Sequence, residues 1–151
     1  MKPVLIIVLS ILGLTLHAQS GNTSFDKQLA DSLGSDDYGM KQYVLVILKT
    51  GTATITNKAV TDSLFRGHMQ NIGRLADAGK LVVAGPLQKN EKGYRGIFIL
   101  NVKTIDEAKA LLLTDPAVKA NLFDAELFNW YGSAALPMYL KFHQKVEKKT
   151  F

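Results

Sequence analysis

After an opening apolar run from Val4 to Leu16, polar and apolar positions settle into two rhythms that mark out a domain. "YVLVIL", Tyr43–Leu48, is six apolar residues rich in β-branched and aromatic types and ends at Thr50-Gly51. Its length and composition predict a strand that is apolar on both faces. Apolar positions then recur at helical spacing. Val60, Leu64, His68, Ile72, Leu75 and Ala76 form one stripe, which predicts a helix over Val60–Ala78 stopped by Gly79. "LVVAGPL" is a short strand closed by Gly85-Pro86, "KNEKGY" a turn, and "RGIFILNV" a third strand, again apolar on both faces. Thr104 and Glu107 have capping-box spacing and start a second helix, which must end before Pro116. "DPAVKANLF" is a turn or short helical piece, and "DAELFNWYG" is the last core strand.

The order is β-α-β-β-α-β. It predicts an α+β, ferredoxin-like βαββαβ unit, with a four-stranded antiparallel sheet carrying two helices on one face. Helices on one face leave the other open, yet the first and third strands are apolar on both. A sheet buried on one side should alternate. A homodimer joined sheet to sheet is therefore expected, because burial of apolar area stabilises by about 25 cal/mol per Å².

The flanks differ from this core. Residues 1–18 carry one lysine and an apolar run shorter than the roughly 20 residues that span a bilayer as a helix, which suits a secretory signal peptide cut after Ala18. An uncleaved anchor is the alternative. Either way the folded part is exported, periplasmic or secreted, with no stable membrane insertion once the signal is removed. Residues 19–40 are rich in Gly, Ser and Asp and read as a flexible linker with one loose helical turn near Gln28–Leu33. The core domain spans 41–132. In the C-terminal extension, 133–151, Met138, Leu140 and Phe142 alternate with Tyr139, Lys141 and His143, the period of an edge strand, on this chain or its partner.

Composition narrows the chemistry. The length of 151 residues suits one domain, and 47% apolar residues suffice for a core. With no cysteine, disulfides, thiol nucleophiles, iron–sulfur clusters and thiolate zinc sites are excluded. The net charge of +5 is dispersed, the one basic end being Lys141, Lys145, Lys148 and Lys149 against Glu147. That pattern, with export, argues against nucleic acid as a partner. No metal site has helical spacing, no glycine-rich phosphate loop follows a strand, and no nucleophile elbow is present, so no cofactor and no metal are expected.

"RGHMQNIGRLADAGKLVVAGPL" followed by "RGIFILNVKTIDEAKALLLTDPAVKANLFDAELFNWYG" resembles the YciI-like (YCII-related) family. The marks are a histidine in the first helix, "AGP" closing the second strand, an "EA" helix running into "DP", and a tryptophan late in the last strand. The resemblance implies a dimeric α+β barrel with a histidine and an aspartate paired in a cleft as a proposed active site. By motif these are His68 and Asp115. It also implies relatives that include an enzyme dechlorinating a hydroxyquinol. The chain departs from the family at Arg66, which stands two rather than three positions before the histidine, and at Asn121, where a glycine is common.

The expected reaction is proton transfer of isomerase or lyase type on a small cyclic or aromatic molecule. Asp115 would fix the imidazole tautomer and His68 would exchange the proton. Trp130 and Tyr131 are candidates to line the pocket, and Arg95 to hold an anionic group of the ligand. Each has a plainer reading: Asp115 as a turn cap, the aromatic pair as core, Arg95 as solvated. The same pocket would also serve a non-catalytic ligand-binding or interaction module.

Overall fold

The computed structural model describes residues 22–149. The expected signal peptide, 1–18, lies outside them, so neither it nor its cleavage is addressed. The strands are β1 (Met40–Thr50), β2 (Leu81–Pro86), β3 (Tyr94–Leu100) and β4 (Phe123–Ser133). The helices are α1 (Lys27–Leu33), α2 (Lys58–Asp77), α3 (Ile105–Leu112), the single turn α4 (Pro116–Lys119) and α5 (Leu140–Val146). The sheet is antiparallel throughout, in the order β2-β3-β1-β4. This is the α+β, ferredoxin-like arrangement that the order of elements predicts.

The helices packed on the sheet start on side-chain caps. Asn57 accepts from the Ala59 and Val60 amides to start α2. Thr104 and Glu107 form the reciprocal capping box of α3. Asp115 caps α4 through the Ala117 amide, with Pro116 in the first helical position where no amide hydrogen is needed.

The register separates the two sheet faces. Val44 lies opposite Leu100 and Val46 opposite Phe98, and these four join Leu48, Leu75, Leu81, Ala108 and Leu112 in the core beneath the helices. Leu45 opposite Ile99 and Ile47 opposite Ile97 occupy the other face, together with Phe128 and Trp130 of β4. Phe128 is 48% exposed, so apolar surface remains uncovered on that face within one chain.

The flanks are more ordered than their sequence suggests. In the region expected as a linker, the helical turn expected near Gln28–Leu33 is α1, capped by Asp26 at its start and by Gly34 in the left-handed conformation (φ 68°) at its end. The segment expected as an edge strand is instead a 3₁₀ turn, Leu136–Tyr139, running into α5. Its alternation was misleading because Tyr139 is the anchor, its hydroxyl donating to the Val82 carbonyl on β2. Ala134 is tied to Gly39 beside the start of β1. The segment thus links opposite edges of the sheet at one end. Tyr43 lies at that end, fully buried, with its hydroxyl on the Ser133 carbonyl. So one chain covers part of the face for which a second copy was expected to supply all the cover.

Candidate functional site

Helix α2 turns His68, Asn71 and Leu75 inward. Only Leu75 belongs to the apolar core; the other two meet the polar segment Thr114-Asp115, which joins α3 to α4. The helices approach closely here because Gly67 has no side chain: a Cβ at that position would stand 2.5 Å from Pro116 Cγ. Glycine at 67 and proline at 116 therefore set the distance at which His68 meets Asp115.

His68 Nδ1 and Asp115 Oδ2 are 2.6 Å apart, a short charge-assisted hydrogen bond. Asp115 is 1% exposed and His68 8%, so the pair is withdrawn from water. The second carboxylate oxygen, Oδ1, accepts the Ala117 amide at 2.9 Å. The aspartate is thus both the turn cap of its plainer reading and the partner of the histidine. A carboxylate only accepts, so the hydrogen of the neutral imidazole is on Nδ1 and the lone pair on Nε2. The ring is held between Phe98, stacked at 5.9 Å, and Phe123, tilted at 5.0 Å, which is itself edge-on to Phe65. Nε2 has no hydrogen-bond partner among the described residues, yet no polar side-chain atom among them is both sealed from solvent and unbonded. Nε2 therefore touches solvent. The histidine is not sealed among leucines; it has a fixed inner nitrogen and an open outer one.

One turn further along α2, a second polar group meets the same segment. Arg74 Nη2 donates to Asn71 Oδ1 and to Thr114 Oγ1, both at 2.7 Å. Thr114 Oγ1 also lies 2.6 Å from the Leu111 carbonyl and 3.0 Å from Asn71 Oδ1. None of these three residues was singled out from sequence. The available signal was Asn71 at three positions from His68 on a helix, hence on the same face.

The other candidates stand elsewhere. Phe98 and Phe123 face the helices and contact the His68 ring, whereas Trp130 has the opposite parity to Phe123 on β4 and faces away; Arg95 sits at the register break between β1 and β3, three residues before Phe98. Trp130 lies 5.6 Å from the Tyr43 ring and so close over Gly132 that a Cβ there would meet the indole at 2.3 Å. Arg95 is exposed. Tyr131 is on the helix side but half exposed, its hydroxyl bonded to the Asp36 carboxylate. Within one chain the fold brings together His68 and Asp115 and does not add Trp130, Tyr131 or Arg95 to them.

Two cavities lie toward the N-terminal segment. One, of about 840 Å³, is lined by α1 and by Asp36, Tyr38 and Ala134. The other, of about 530 Å³, is lined by Asp36, Gln42, Asn101 and Tyr131. Neither is lined by His68 or Asp115. Among the described residues no three His, Asp or Glu side chains gather as metal ligands would, and no helix is long and apolar enough to cross a membrane.

Comparison with known proteins bears on the central domain. The family model described as the YCII-related domain matches residues 42–131. Among solved structures, the chain is similar to the 5-chloro-2-hydroxyhydroquinone dehydrochlorinase of Burkholderia phenoliruptrix AC1100, in complex with 2,5-dihydroxybenzoquinone. The identity is 21%, the TM-score 0.41, and the match covers 58% of this chain and 92% of that one. A likeness that loose carries no functional weight by itself. No curated protein sequence matches the chain.

Proposed function

The chain belongs to the YCII-related domain family, and from that premise we propose that it is a cofactor-free enzyme moving a proton on a small cyclic or aromatic molecule, with His68 as the acid–base group and Asp115 as its partner. The observation that carries this reading is the 2.6 Å bond between Nδ1 and a carboxylate that is itself buried, with Nε2 left in contact with solvent. Asp115 holds the Nδ1 hydrogen, so the Nε2 lone pair points outward. A substrate with an acidic C–H or a phenolic O–H gives its proton to Nε2. The resulting imidazolium is balanced by the carboxylate at Nδ1. Return of the proton to a neighbouring atom completes an isomerisation. Expulsion of a leaving group by the electron pair left on the substrate completes an elimination instead. Such acid–base help accelerates a reaction typically by ~10²–10⁴-fold.

The proposal extends to context. The chain is exported, with the mature form starting at Gln19, and it works as a homodimer. The half-exposed Phe128 and the flanking Leu45, Ile47, Ile97 and Ile99 on the open sheet face support the second point. In such a dimer Trp130 belongs to the joined faces, not to the imidazole.

The test is a panel of small phenols, lactones and quinols offered to the purified mature protein and to His68→Ala. Turnover that falls at least a hundredfold in the variant, with an unchanged fold, is the expected result. Turnover undiminished in the variant refutes the assignment. Binding without turnover by the native protein makes the chain a ligand-binding module instead.

A further inference from the structure

Asn71 is 7% exposed, which is deep for an amide, and only one end of it is used. Its Oδ1 accepts from Arg74 Nη2 at 2.7 Å and lies 3.0 Å from the Thr114 hydroxyl, whose single hydrogen has the nearer Leu111 carbonyl at 2.6 Å as its acceptor. A guanidinium has hydrogens only to give, so the end of the amide that faces Arg74 must be the oxygen. The NH₂ end is thereby turned away from residues 114–115. Nδ2 has no acceptor among the described residues, and since none of them holds a sealed, unbonded polar atom, Nδ2 also touches solvent.

His68 repeats this arrangement one turn earlier. It gives its inner nitrogen to Asp115 and leaves Nε2 open; Asn71 gives its inner oxygen to Arg74 and leaves Nδ2 open. Residues three apart on a helix are neighbours on one face, with Cβ atoms about 5–6 Å from one another. The two open atoms are complementary: a lone pair beside a hydrogen donor. That is what a hydroxyl oxygen needs as it loses its proton. The base takes the hydrogen while the donor stabilises the negative oxygen, as amide donors do in oxyanion sites.

We propose that Asn71 is a substrate-binding residue whose Nδ2 holds the phenolic or enolic oxygen of the substrate beside His68, with Arg74 and Thr114 as positioning residues that lock the amide the right way round. The proposal rests on the acid–base reading of His68 and narrows its substrate class to molecules with an ionisable oxygen at the reacting centre. No covalent step is added: the proton moves from oxygen to Nε2, and the oxygen keeps its electron pair against Nδ2.

The experiment uses ¹⁵N-labelled mature protein and 4-nitrophenol as the probe. Expected are saturable shifts of both the Asn71 side-chain amide and the His68 ring signals with one dissociation constant. Asn71→Asp is the decisive variant. It keeps the shape and the Arg74 contact, so the fold is retained, but presents an acceptor to the probe's oxygen. Loss of a hydrogen bond to an ionised oxygen should weaken binding about ten- to hundredfold. If the His68 signals shift while the Asn71 amide stays still, or if Asn71→Asp binds the probe as well as the native protein, the inference fails and the acid–base reading survives. If neither residue responds, both fall.

Discussion

Replacing each of the two glycines of α2 by alanine should move stability in opposite directions, and the difference measures how firmly α4 is held against α2. Alanine is favoured over glycine inside a helix by about 1 kcal/mol. At Gly73 a Cβ would find nothing within 4 Å, so Gly73→Ala should gain close to that amount. At Gly67 the same methyl would stand 2.5 Å from Pro116 Cγ, roughly 1 Å inside an ordinary contact, and a proline ring cannot swing away. Overpacking of this kind costs typically ~1–3 kcal/mol. Gly67→Ala should therefore be neutral to about 2 kcal/mol less stable than the native chain, and 1–3 kcal/mol below Gly73→Ala. Urea unfolding of the two variants gives the comparison, since the propensity gain is common to both. The displacement of Pro116 should also lengthen the His68–Asp115 bond, seen as faster exchange of the Nδ1 hydrogen by NMR. Equal stabilisation by both substitutions would show that α4 does not press on α2, and the geometry of the pair would lose its basis.

Asp115→Ala removes a helix cap and strands a buried imidazole hydrogen, and should cost about 2–4 kcal/mol in unfolding experiments, whereas Asp115→Asn keeps the cap acceptor and should cost clearly less. Thr104→Ala breaks the capping box of α3 and should lower stability by about 1 kcal/mol. The Tyr131 hydroxyl, with the Met40 and Tyr38 amides, holds the Asp36 carboxyl below its ordinary value of 3.8. The Asp36 carboxylate in turn pushes the Tyr131 hydroxyl above 10.0. The lowered acid contributes stability above pH 3.8 that is lost as pH falls through its folded value; the raised phenol contributes below pH 10.0 and loses its part as pH rises through its own. Protection of the amides around α1 and the start of β1, relative to their intrinsic exchange rate at each pH, should therefore be greatest between these limits and fall on both sides, with the fall on the alkaline side absent in Tyr131→Phe.

The elements of the core were legible because each has a local cause. The runs Tyr43–Leu48 and Ile97–Leu100 can only be strands at that length, the Thr104–Glu107 box starts a helix where it stands, and Pro116 ends the preceding one. The flanks were not, for different reasons. The period of two in Met138–Phe142 competes with a helical period through Leu136, Tyr139 or Leu140, and His143, and only the Tyr139 bond to a distant strand decides it. Between Gln19 and Met40 the helical turn near Gln28–Leu33 was legible, but not the caps Asp26 and Gly34 that make it the two-turn helix α1, because the composition there is polar throughout.

The site divides along the same line. His68 on the inner face of its helix follows from spacing alone. Its partner 47 residues away follows only from the family resemblance, since no local pattern joins them. Trp130 could have been separated from His68 by counting strand parity against Phe123, whereas Arg95 lies at a register break that no parity count anticipates. Asn71, Arg74 and Thr114 are unremarkable in the sequence; they become a unit only when α2 and the α3–α4 joint are packed together.

The tautomer of His68 tests the central claim most directly. Long-range ¹H–¹⁵N correlation spectra of the neutral ring distinguish a nitrogen carrying hydrogen from one carrying a lone pair. Expected are hydrogen on Nδ1, protected by Asp115, and a bare Nε2 whose signal responds to added phenol. Hydrogen found on Nε2 instead, with Nδ1 bare, would leave the outward nitrogen unable to take a proton and would contradict the account.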